Sequence, residues 1–281
     1  MGSGLSMKKK SVLAVNALLV AAVLCACTRQ SGPMDTVEAT GQTTAILEST
    51  VETEIPQTSA DTVQNEFQWQ DTPTHNAFRR TLKTIHDNLY FPNLENPVQI
   101  DLWEPGTIED EMFAVLDVDG DGEEELLVRI SNTYVAASCV VIYGYHPSLD
   151  DVQKEAYTGF LAKFYPGMIR VDASHNHGHA GDVLWPYSIL TYDEQKDAYQ
   201  DAFYVDAWSK EIADYDAYLE MAYPEDIDTD HEGFVYLITE NGQQRIINRQ
   251  DYEAWEAEMF AKKEPLTIPW QKMTAENIGL E

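Results

Sequence analysis

Apolar residues at Phe78, Leu82, Ile85 and Leu89 repeat with the spacing of one helical face, with Thr74 placed to cap the start and Pro92 just beyond the end. From Phe113 to Trp208 the period shortens. Short β-type segments run over Phe113 to Leu116, Leu126 to Ile130, Ala136 to Tyr145, Phe160 to Phe164, Met168 to Asp172, Leu184 to Tyr192 and Ala198 to Trp208, with turn residues between them. That rhythm predicts an antiparallel meander. Further on, Phe234 to Thr239 and Gln244 to Ile247 flank Asn241-Gly242, a hairpin signal because both residues tolerate positive φ. Asn248 then caps a helix in which Tyr252, Trp255 and Met259 share a face, closed by Lys262, Lys263 and Pro265. The pattern as a whole reads as α+β: an antiparallel β-meander with an N-terminal helix and a C-terminal hairpin-helix unit. No internal repeat long enough for a solenoid or a complete propeller is present.

The segment before residue 66 has a different character. Lys8, Lys9 and Lys10 precede an apolar run from Ser11 to Leu24, the charge and length pattern of an export signal and shorter than the roughly 20 residues of a membrane span. It ends in Leu24-Cys25-Ala26-Cys27, which resembles the bacterial lipobox, with Cys27 in the position that receives the lipid. Residues 28–65 are rich in Thr, Ser, Glu, Gln and Pro without a sustained period, which predicts a disordered tether. The expected organisation is a signal peptide over 1–27, a tether over 28–65 and one globular domain over 66–281.

Charge and cysteine count narrow the function classes. Lys and Arg total 18 against 48 Asp and Glu, a formal net charge of -30, which argues against nucleic acid or an anionic lipid face as a partner. With 44% apolar and 11% aromatic residues the chain is nevertheless composed like a packed domain. Once Cys25 leaves with the signal and Cys27 carries lipid, Cys139 stands alone, so no disulfide is expected. Its apolar neighbours Val140, Val141 and Ile142 make Cys139 a core residue rather than a nucleophile.

Candidate chemistry concentrates in Asp117-Val118-Asp119-Gly120-Asp121-Gly122-Glu123-Glu124-Glu125. Carboxylates at positions one, three and five can converge on one ion while the glycines allow a tight turn, and an all-oxygen set suits calcium better than zinc. Glu123 at position seven would lend its backbone carbonyl, and Glu125 at position nine would act directly or through water. Helix-loop-helix calcium loops want a glutamate at position twelve, where this chain has Val128, and both flanks read as strands. The loop instead resembles the strand-loop-strand calcium sites of integrin-type propeller repeats, whose last ligand falls at position nine.

Two other stretches invite comparison. Asp226 to Gly233 alternates acidic residues but places its glycine late, which favours a solvated acidic loop. His175, His177 and His179, if on a strand, would project to one face about 6.5 Å apart and share a zinc ion with Asp182 as fourth ligand, although Gly178 and Gly181 argue for a loop. A metalloprotease His-Glu-x-x-His motif, a nucleophile elbow and a phosphate-binding glycine loop are all missing from the sequence.

Beyond the loop, Ser174-His175-Asn176, Trp185-Pro186-Tyr187, Asn241-Gly242, Ile268-Pro269-Trp270 and Thr274-Ala275-Glu276-Asn277-Ile278 resemble features of a loosely defined group of bacterial surface lipoproteins of unknown function. The resemblance implies lipid anchoring and a calcium-type loop, and supplies no reaction. Three expectations follow. The first is a membrane-anchored binding or interaction module at the cell surface or in the periplasm, with Trp185, Tyr187 and Trp208 offering a surface to a glycan or peptide. The second is a zinc hydrolase built on His175, His177 and His179. The third is a structural component of an envelope complex.

Overall fold

A computed structural model describes residues 67–280 apart from 97, 174–179, 181–182, 212–221 and 262, and these residues belong to one compact unit. Cys27 and the tether, like His175, His177, His179 and Asp182, lie outside the described residues.

The N-terminal helix α1 spans Pro73–Asn88. Its cap is Thr72 rather than Thr74: the Thr72 hydroxyl accepts a hydrogen bond from the His75 N–H, and Pro73 occupies the first helical position, where its missing N–H costs nothing. Leu89 ends the helix in the left-handed conformation (φ 53°). Phe78, Leu82 and Ile85 are fully buried, as their spacing predicts.

The strands are β1 (Tyr90–Phe91), β2 (Val98–Gln99), β3 (Met112–Leu116), β4 (Glu125–Ile130), β5 (Cys139–His146), β6 (Asp151–Gly159), β7 (Ala162–Tyr165), β8 (Met168–Asp172), β9 (Tyr187–Asp193), β10 (Ala198–Ser209), β11 (Phe234–Glu240), β12 (Gln243–Ile247) and β13 (Gln271–Lys272). A second helix, α2, covers Arg249–Met259 with Asn248 as its N-cap. The fold is α+β, with antiparallel meanders as expected. They form two sheets: a five-stranded one ordered β13-β3-β4-β5-β6 and a six-stranded one ordered β12-β11-β10-β9-β8-β7, beside the small β1-β2 ladder. At the β11–β12 turn Asn241 and Gly242 both take positive φ (50° and 74°).

Side-chain alternation along each strand sorts the apolar residues into layers. One face of the five-stranded sheet, with Phe113, Leu126, Val128, Val141 and Tyr143, packs with Phe78, Leu82 and Ile85 of α1. Its other face, with Ala114, Leu127, Val140 and Ile142, meets Phe164, Ile169 and Tyr199 of the six-stranded sheet. The far face of that second sheet, with Tyr187, Ile189, Val205 and Ile238, is covered by Tyr252 of α2, whose ring stacks on Tyr236 at 4.2 Å. The order of layers is helix, sheet, sheet, helix. Cys139 is buried against the α1 layer, and burial pushes its thiol up to about 11, consistent with a core role.

Two aromatic residues expected at a binding surface are core residues instead. Trp208 and Tyr187 are fully buried, because strand alternation directs them into the packed layers, and the Tyr187 hydroxyl meets the Tyr252 hydroxyl and the Glu256 carboxylate. Trp185, just before β9, is 46% exposed and donates its indole N–H to the Ala173 carbonyl at 2.6 Å. Among the described residues no helix is long and apolar enough to cross a membrane.

Candidate metal centre

The β3–β4 connection is the 117–124 loop, and its backbone is shaped by its own carboxylates. Asp117 accepts from the N–H groups of Gly120 (2.7 Å) and Gly122 (3.0 Å), Asp119 from Asp121 N–H (3.0 Å), and Asp121 from Glu123 N–H (2.7 Å). Gly120 and Gly122 have φ of 89° and 97°, a region that side-chain-bearing residues adopt rarely, so both glycines are required by the turn. Val118, between the first two aspartates, is fully buried between the sheets and anchors the loop.

Asp117, Asp119 and Glu125 form a cluster close enough to hold a metal ion: one carboxylate oxygen from each lies within 4.8 Å of the others. The carboxylates of Asp121 and Glu123 are exposed and stand outside that convergent group; of the two, only Asp121 is expected from the sequence to bind through its side chain, Glu123 through its backbone carbonyl. Glu125 is the buried member, 2% exposed, with one oxygen accepting from Val118 N–H at 2.8 Å. Two neighbours fix the loop from outside. The Glu124 carboxylate meets the His75 ring at 2.8 Å, tying the loop to α1, and the Pro166-Gly167 turn of the second sheet lies against Asp119 and Gly120.

The electrostatics favour a cation here. Burial, and then the charges of Asp119, Asp121 and Asp117, push the Glu125 carboxyl up to about 8, and burial raises that of Asp119. Glu155 on β6 is pushed up to about 9, by burial first and then by Glu125 and its acidic neighbours. An acid whose folded pKa is raised binds more protons in the folded than in the unfolded chain. Its contribution to stability is therefore full below the ordinary value of 4.5 and is lost as pH rises toward the folded one. In chelator, stability should thus decline between about 4.5 and about 9, an interval read by denaturant melts at a series of pH values. A metal-free protein equally stable at both ends of that interval would contradict this electrostatic picture.

The second acidic stretch is built differently. Asp228, expected to be solvated, is buried and accepts from the Tyr223 hydroxyl and Gly233 N–H, while Arg249 pairs with Asp230 and Glu232. The protein's own guanidinium serves as the cation there. An open groove of about 670 Å³ lies between the β9–β10 and β11–β12 turns, lined among others by Tyr192, Gln200, Asp201, Phe203 and Glu240. It is not legible in the sequence because its lining comes from two separate turns and includes a β-bulge in β10 between Asp201 and Phe203, which polar flanks do not announce. Tyr192 joins groove to loop, since it lines the groove, its hydroxyl donates to Asp197 at 2.6 Å, and it stands close enough to Asp119 to offset part of the rise that burial imposes on that carboxyl.

No protein-family model, curated protein or solved structure matches the chain. The acidic loop therefore stands on its own geometry.

Proposed function

We propose that the protein is a membrane-anchored, extracytoplasmic binding module whose β3–β4 loop holds a structural calcium ion. The observation that carries the reading is the convergence of Asp117, Asp119 and Glu125 at the junction of the two sheets. Calcium is the ion because the convergent donors are all hard carboxylate oxygens, with room for backbone carbonyls and water in a six- to eight-ligand shell. Its role is structural, because the loop is tied to strands on both sides, to α1 through His75 and to the second sheet through the Pro166-Gly167 turn. The groove bounded by Tyr192 and Phe203 supports binding of a polar ligand, a glycan or peptide, by its mixture of amide, carboxylate and aromatic groups.

Limited proteolysis tests the calcium part. Calcium should protect residues 117–124 from cleavage and chelator should expose them; equal cleavage rates would count against the reading. The anchor rests on the lipobox pattern at Cys27. Cys27→Ala should move the protein from the membrane fraction to the soluble one, and unchanged fractionation would remove the lipid anchor from the account.

A further inference from the structure

Glu155 occupies an unusual place in the five-stranded sheet. Leu126 of β4 pairs with Tyr143 of β5, so one residue beyond that pair Glu125 and Gly144 come side by side. Both project to the face of Leu127 and Ile142, toward the second sheet. On the next strand the register shifts: Ile142 pairs with Ala156 and Tyr143 with Lys154, leaving Glu155 as the extra residue of a bulge. A methyl group added at Gly144 would overlap Glu155 Oε1. The carboxyl of Glu155 therefore fills the space where residue 144 has no side chain, and reaches from β6 across β5 toward Glu125.

What Glu155 meets there is not accounted for by the protein's own groups. It is 4% exposed, and its Oε2 has no hydrogen-bond partner. From the facing sheet Tyr199 brings a hydroxyl that is likewise buried and without a partner. The charges acting on Glu155 are those of Glu125, Asp197, Asp119 and Asp121, which sets it beside the loop. A buried carboxyl and a buried hydroxyl left unpaired next to three convergent carboxylates are costly unless something polar lies between them.

We propose that Glu155 and Tyr199 belong to the cation site, holding a water molecule that completes the ion's coordination on its buried side. The inference rests on the calcium reading of the loop. A water is the link because Glu155 lies outside the group whose oxygens converge within 4.8 Å, so it stands behind the ligands rather than among them. Two protein partners and the ion give that water the polar contacts that a buried water needs. Gly144 is the enabling residue, since any side chain there would displace the Glu155 carboxyl. Outer partners of this kind orient ligands and tune affinity without touching the metal.

The experiment is calorimetric titration of calcium into the full chain and three variants, with melting curves in chelator alongside. Glu155→Gln should weaken calcium binding roughly 10- to 100-fold while melting no lower than wild type in chelator. Gly144→Ala, which displaces the same carboxyl, should weaken binding in the same direction. Tyr199→Phe removes only the hydroxyl and decides the matter should Glu155→Gln fail to fold: weakened binding supports the proposal, and an unchanged Kd overturns it. A folded Glu155→Gln protein that binds calcium as the wild type does overturns it alone, leaving the loop reading intact. So does a Glu155→Gln protein whose chelator melting point drops while its calcium affinity holds, since that makes Glu155 an ordinary core residue. A wild type that takes up no calcium overturns the loop reading and this inference together.

Discussion

Calcium added to chelator-treated protein should raise its melting temperature by roughly 5 to 10 °C once the ion exceeds its Kd about a hundredfold, and Asp117→Asn/Asp119→Asn should abolish the rise. The magnitude follows from linkage. An ion that binds only the folded chain stabilises it by RT ln(1 + [L]/Kd), about 2.7 kcal/mol at that excess, and a domain of this size shifts by roughly 2–4 °C per kcal/mol. Extracellular calcium modules have Kd on the order of 0.1 to 1 mM, so millimolar calcium would give only part of the effect. The sign has a local cause. Without a cation, Glu125 is buried beside Asp119 and Asp117, and their mutual repulsion loads the junction between β3 and β4. The paired substitution keeps the size but only one of the two oxygens with which Asp117 accepts from Gly120 and Gly122, so the readout is the calcium-dependent rise and not the melting point in chelator. Should calcium raise the melting point of the double variant as much as that of the wild type, the effect would come from the surface charge and not from the loop.

Phe113→Ala should cost about 3–5 kcal/mol of stability, read as a lowered denaturant midpoint without a change of slope. Phe113 lies on β3, fully buried, with Trp69 stacked at 5.9 Å between ring centroids and Phe67 edge-on at 6.4 Å. Its neighbours Phe78, Leu126 and Val128 come from α1 and β4, so the space left by the ring is walled by regular elements that collapse only in part. The aromatic contacts add to the area term. A loss under about 1 kcal/mol would mean that the α1 layer is not packed on β3 in this way.

Periodic elements were the legible part of this chain. The helix face of Phe78, Leu82 and Ile85, the hairpin at Asn241-Gly242 and the Asn248 cap each follow from a local rule that tertiary contacts reinforce. The Thr74 assignment failed because Thr72 and Thr74 both flank Pro73, and the proline's preference for the first helical position decides between them. β6 was missed altogether. Its sequence Asp-Val-Gln-Lys-Glu-Ala-Tyr-Thr-Gly is mostly polar, and the bulge at Glu155 breaks its alternation. Tyr187 and Trp208 show the opposite error, since an aromatic residue carries no mark of which face its strand will bury.

The candidate metal site divides along the same line. Asp117, Asp119 and Glu125 were legible because a single loop supplies them at fixed spacing. Glu155, Gly144 and Tyr199 were not, because they come from three other strands and meet only when the register of both sheets is set. A lone glycine in the apolar run of β5 was the one available signal, of the kind that marks close approach of another group.

Equilibrium dialysis of the purified chain against about 1 mM calcium tests the central claim most directly. The net charge of -30 attracts divalent ions non-specifically, so the measurement belongs at about 0.15 M salt, where diffuse surface attraction is screened. Saturable uptake that rises toward one calcium per chain in the wild type, and is absent from Asp117→Asn/Asp119→Asn, is the predicted result. Uptake that never saturates, or that is the same in both proteins, would contradict a calcium site at Asp117, Asp119 and Glu125.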